Sequence, residues 1–221
     1  MFRAARQARL VIARAEIRVD DLPPRDPSQA FVTALVTEHF VLQSARSATV
    51  SEAVGRSAVY LTSVSSALIA FGFFAQTTRR LAPVVATVLP ALIILGVFTF
   101  ARLVETSVED VVLRRRIEAI RMYYARLDPA AAAFFAVPGN AGFTAALAST
   151  GIRASGVEML FTSAGMIAAV TSILAGAGAG LLLDAAAVPL PAAAAAGAAA
   201  AIAVFVLHML WMYRRGAPAM A

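Results

Sequence analysis

Two charge-free windows lie side by side in this chain, and they constrain its fold more than any other feature. From Ser57 to Thr78 no side chain is ionisable except the Tyr60 phenol. Arg79 and Arg80 follow, and from Leu81 to Ala101 charge is again absent. A helix needs about 20 apolar residues to cross ~30 Å of hydrocarbon. A charge at the centre of such a helix costs roughly 2.5–3.5 kcal/mol. The two windows therefore predict a pair of membrane-spanning helices joined by a tight turn at Arg79-Arg80.

Composition points the same way. The chain is 60% hydrophobic and 14% charged, against about 45–50% and ~25% for a soluble domain. The fold expected is all-α: a polytopic integral membrane protein with four transmembrane helices and amphipathic cytoplasmic helices. The net charge of +6 comes from basic residues that are all Arg. In a membrane protein such Arg anchor cytoplasmic segments to anionic lipid headgroups, so nucleic acid is not the expected partner. The chain has no Cys, which excludes disulfides, thiolate metal sites and Cys nucleophiles. No zinc-protease, nucleophile-elbow, phosphate-loop or dinucleotide motif occurs. No enzyme activity, cofactor or metal is expected.

In order, the chain divides as follows. Residues 1–27 form a basic arm with Arg3, Arg6, Arg9, Arg14 and Arg18. It has no apolar core of signal-peptide length, and its apolar residues do not share one helical face. Residues 28–57 read as a cytoplasmic helix capped by Ser28 that runs straight into the first span, with Gly55 as its weakest point. Residues 58–104 are the first transmembrane hairpin and residues 105–155 a cytoplasmic helical segment. Residues 156–215 are the second hairpin, with spans over 159–183 and 191–213, and residues 216–221 are a tail. The turns of the two hairpins carry only Arg79 and Arg80 of the Arg residues, so the positive-inside rule puts both termini in the cytoplasm.

Within the first span, Thr62, Ser66 and Ala70 sit four apart on one face. Two readings are open for it: close helix packing in lipid, or the lining of a wet path. Pro90 removes a backbone hydrogen bond in the second span and kinks it, as a gate or as a feature of shape. Glu105 and Glu109, with Asp110, stand at the inner mouth of that span, where a ring of carboxylates from several subunits would favour cations. The candidate pore-lining residues are therefore Thr62, Ser66, Pro90, Glu105 and Glu109.

Leu113, Ile117, Ile120, Tyr124 and Leu127 step by four and three along one seam, which needs a partner. The helix over 28–57 is the expected one, in the same subunit or a neighbour. Asp110 is placed to pair with Arg114. Arg114, Arg115 and Arg116 are candidate contacts for a phosphate or lipid headgroup, or else a solvated face. Gly176 and Gly180 form a GxxxG close-packing signal. The Ala-rich first half of the fourth span is expected to pack against other helices. His208 lies near the inner end of that span, where a structural hydrogen bond is the expected role, and Trp211 and Tyr213 are interface anchors.

The stretch ALVTEHFVLQSARSATVSEAVGRSAVYLTSVSSALIAFGF, with LPALIILGVFTFARLVETSVEDVVLRRRIEAIRMYY, resembles an uncharacterised family of actinobacterial multi-pass membrane proteins. The likeness covers residues 31–215. It implies the bacterial plasma membrane and carries no activity with it. The order of long helix, two spans and cytoplasmic helix also resembles the SLATT and related two-span effector domains of bacterial defence systems. That likeness implies oligomerisation and membrane permeabilisation, and the second hairpin departs from it. The function expected is a homo-oligomeric ion channel or pore of the bacterial inner membrane. The alternative is a non-catalytic scaffold or accessory subunit of a larger membrane complex.

Overall fold

The computed structural model of the protein describes residues 28–77, 81–130, 134 and 162–220. Within them the chain forms four α-helices, α1 (Gln29–Thr77), α2 (Leu81–Leu127), α3 (Ser163–Ala185) and α4 (Leu190–Met220). No strand occurs among the described residues. Each helix is long and apolar enough to cross a membrane. The basic arm over 1–27 and most of the segment over 128–155 lie outside the described residues.

Helix α1 starts where its cap predicts, with the Ser28 hydroxyl accepting from the Phe31 N–H at 3.3 Å. Its 49 residues extend about 70 Å at 1.5 Å per residue. Gly55 does not break it. One interior glycine costs about 1 kcal/mol, which is small against the packing of α1 on its neighbour. Helix α2 is likewise one rod, with 47 residues and Pro90 inside it. The second predicted span and the polar segment after it are thus a single helix.

The two rods pair antiparallel. On α2 the residues turned inward are Leu89, Leu92, Gly96, Thr99, Leu103 and Thr106, then Leu113, Ile117 and Ile120, all buried or half-buried. Asp110 fills the one step between the two sets. Steps of three and four average 3.5 residues, which keeps a seam in line only if the helices supercoil left-handedly. At the polar end Leu42, Ile117 and Ile120 form one buried cluster, with Leu35, Leu113 and Tyr124 packed on it. The partner of the predicted seam is therefore α1 of the same chain. Leu127 departs from the expectation and is 42% exposed. Phe31, in the first turn of α1, already stands edge-on to Tyr123, so α1 ends before it can cover Leu127.

The main core lies where α3 and α4 join this pair. Tyr60, Val64, Leu92, Phe100, Leu103, Ile167 and Ala168 are among its buried members, and α2 touches all three other helices. Helix α3 starts at Ser163, where the Thr162 hydroxyl caps it by accepting from the Gly165 N–H at 3.1 Å; residues 159–161 of the predicted span lie outside the described residues. Helix α4 runs past Tyr213 and through Arg214 and Arg215. The GxxxG signal marks a real crossing. A Cβ on Gly176 would lie 2.5 Å from the Gly197 carbonyl oxygen, and one on Gly197 2.7 Å from that of Gly176. The Ala-rich half of α4 departs from the expectation of general packing. Only its Ala193 and Gly197 face is buried, because a helix meets one neighbour along one stripe.

One buried hydrogen bond ties α1 to α3. The Tyr60 hydroxyl and Thr171 Oγ1 are 2.9 Å apart, and both residues are fully buried. Gly96 on α2 makes room for it, since a Cβ there would meet both oxygens at less than van der Waals distance. We expect Gly96→Val to cost about 1–3 kcal/mol through overpacking and Tyr60→Phe only about 1 kcal/mol. Thermal unfolding in detergent checks this. The two changes should be non-additive, because the double variant lacks the Tyr60 hydroxyl that the larger side chain would strike.

Candidate functional site

At the level where the apolar windows end, α1 and α2 are joined by ion pairs. Arg102 reaches across to Glu52 with two nitrogens, Nε to Oε1 at 2.9 Å and Nη2 to Oε2 at 3.4 Å. A planar guanidinium matched to both oxygens of a carboxylate is the stronger form of such a pair. Glu52 also accepts from Arg56 at 2.8 Å, one turn on. The Arg102 Nη1 lies 3.5 Å from Glu105 and 3.9 Å from Glu109. Beyond them, Asp110 holds Arg46 of α1 at 2.9 Å and Arg114 at 2.6 Å. The Asp110/Arg114 pair is the one the spacing predicted.

Glu52, Glu105, Glu109 and Asp110 are thus matched by Arg46, Arg56, Arg102 and Arg114 in one belt. The acids expected at the mouth of the second span face Arg within their own chain, which leaves little net negative field for a cation. The hydrogen bond from Arg102, and next that from Arg56, hold the Glu52 carboxyl below its usual value of 4.5. A depressed carboxylate stabilises the fold above that value, and the contribution is lost as pH falls through the lower folded value.

The structure places the other candidate residues as follows. Thr62 and Ser66 are exposed on the face of α1 turned away from α2, and Pro90 is exposed on α2. None of the three lines an interior passage of the single bundle. Of the Arg triplet, Arg114 is drawn into the belt, while Arg116 is exposed. His208 is buried against Phe100, with ring centroids 4.5 Å apart and edge to face. Its Nδ1 lies 2.8 Å from the Val204 carbonyl oxygen, which can only accept, so Nδ1 carries the proton. This is the structural hydrogen bond expected. Trp211 packs on the same Phe100 and lies under the Arg215 guanidinium at 5.1 Å.

Sequence reasoning did not find Glu52, Arg46 or the Tyr60/Thr171 pair. A signal for Arg46 existed: it falls four residues after the seam residue Leu42, so its charge needed a partner on α2. For Tyr60 and Thr171, which are 111 residues apart, no local signal exists.

His39 sits in the seam beyond the belt. Its ring lies 6.1 Å from that of Tyr124, and Gln43 approaches its Nε2 at 3.4 Å. Nδ1 is buried with no hydrogen-bond partner among the described residues. Burial, and secondarily the Arg121 charge, push its pKa below the usual 6.5.

No protein-family model, curated protein or solved structure matches the chain, so the functional reading rests on its own residues.

Two outcomes are expected from these groups. Arg102→Glu would crowd four carboxylates together and lower the melting temperature, and Glu52→Arg in that background should recover part of the loss. For His39, whose folded pKa is depressed, the neutral form stabilises the seam fully above 6.5. That contribution falls away as pH drops toward the lower folded value. Melting temperatures between about pH 7.5 and 5.5 should therefore decline less in His39→Leu than in the parent.

Proposed function

We propose that the chain is a homo-oligomeric ion channel or pore of the bacterial inner membrane, crossing it four times with both termini in the cytoplasm. Four long helices with broad exposed apolar faces support membrane insertion, including Phe98 at 70%, Leu182 at 75% and Ile202 at 67% exposure. Surfaces of that kind in water would aggregate. Exposed Arg116, Arg214 and Arg215, at the polar end, would meet anionic headgroups.

The observation that carries the channel reading is the placement of hydroxyls. The bundle interior is filled by Tyr60, Leu103, Ile167, Thr171 and Ser172, the largest of its fully buried side chains. Among the described residues, these side chains occupy the space that a path through one bundle would need. Thr62, Ser65 and Ser66, in contrast, stand on the open side of α1 at membrane depth. A path between subunits would use them. A non-conducting scaffold or accessory subunit is the second reading, and the balanced charge around Arg102 favours it, because paired acids do not concentrate ions.

Reconstitution into liposomes with an ion-sensitive dye separates the two. The channel reading expects flux well above protein-free liposomes, reduced several-fold by Thr62→Leu with Ser66→Leu. Wild-type protein that folds, inserts and passes no ion would remove the channel reading.

A further inference from the structure

An apolar groove of about 520 Å³ runs along the crossing of α3 and α4. Gly176 and Gly197 bring the two backbones together at its floor. Ala177 and Leu181 stand on one side of it, Ala194 and Ala198 on the other. The groove extends from Ile173 and Ala201, near the middle of the two spans, to Asp184 and Leu190 beside the α3–α4 turn.

Its dimensions select what fits. Between these ends each helix advances by the same number of residues, 173 to 184 and 190 to 201, which is about 16 Å at 1.5 Å per residue. That is the depth of one leaflet, half of the ~30 Å of hydrocarbon. The volume spread over that length leaves a section of about 30 Å², well below the ~80 Å² of a helix 10 Å across. The groove is too narrow to seat a neighbouring helix and suits one extended acyl chain. The long stretches outside the described residues join the chain before Ser28, after Leu127 and before Thr162, at the opposite end of the bundle.

The turn end carries charge of one sign. Asp184 is the one acidic residue between Ser163 and Tyr213, and no Arg occurs in that stretch. It is exposed, and among the described residues no Arg pairs with it. The C-terminus of α3 adds the negative pole of its dipole. The last carbonyls of α3 already accept from the N–H groups of Ala186, Ala187 and Val188, so the carboxylate is the group left to meet a cation.

We infer that the groove holds one acyl chain of a phospholipid whose ethanolamine headgroup sits on Asp184. The inference rests on the reading that the chain spans a membrane, and not on conduction. A primary ammonium offers three N–H donors to a carboxylate. A choline headgroup has the charge without an N–H. A glycerol headgroup brings only a negative phosphate, which Asp184 repels.

Native mass spectrometry tests this on protein released from nanodiscs. The discs contain equal parts of phosphatidylethanolamine, phosphatidylcholine and phosphatidylglycerol with the same chains. One ethanolamine lipid should stay bound several-fold more often than either of the others. Asp184→Asn should remove that preference, and Asp184→Glu should keep it. Ala194→Leu with Ala198→Leu, at two exposed positions that line the groove, should remove the adduct. Ala195→Leu, exposed but outside the groove, should not. Equal retention of the three lipids would overturn the inference, as would an ethanolamine preference that survives Asp184→Asn or the filled groove. A dimer that the filled groove abolishes would place a second copy there and overturn it as well. Protein that enters no nanodisc sinks the membrane reading and the inference together. Protein that enters and retains no ethanolamine lipid sinks the inference alone.

Discussion

The antiparallel pairing of α1 and α2 supports everything else in this molecule. Two helices of this length stay in contact along one seam when their contact residues repeat every 3.5 positions and the pair supercoils left-handedly. The α2 seam keeps that repeat from Leu89 to Tyr124 without a slip. It passes through apolar and polar surroundings alike. Leu92 and Leu103 serve it in the charge-free half, and Ile117 and Ile120 serve it beside the Arg-rich face. One rule of packing therefore holds two chemically different halves in a single rod, and it sets which residues of each helix point outward.

The ion-pair belt sits where those halves meet. Its members are partly exposed, and the worth of such pairs in water is small. Their effect is better described as one of register. Arg102 grips both oxygens of Glu52, and Asp110 grips Arg46 further along the same pair of helices. Sliding α1 by one turn, about 5.4 Å, would separate both contacts. The belt also pairs the charges that stand where the apolar half of the two helices ends.

Small residues do the equivalent work in the apolar half. Gly176 and Gly197 bring the backbones of α3 and α4 together, and Gly96 admits the Tyr60/Thr171 hydrogen bond. In lipid the solvent offers no hydrophobic drive for helix association, so closeness of approach and occasional hydrogen bonds must supply it.

Much of this was legible in the residues. Charge-free windows fixed the number of long apolar helices, Ser28 fixed the start of α1, and steps of four and three exposed the seam of Leu113, Ile117, Ile120 and Tyr124. Those signals are local: a helix imposes its period on its own residues whatever lies beside it. What the tertiary structure alone decided was the choice of partners. Arg102 reads as a span boundary until Glu52, 50 residues earlier, is brought against it. Tyr60 reads as a lone phenol until Thr171 arrives from the second hairpin. Which face of α1 would stay open also depended on where α2 came to rest, because chain reversal, not periodicity, determines which stripe of a helix meets a neighbour.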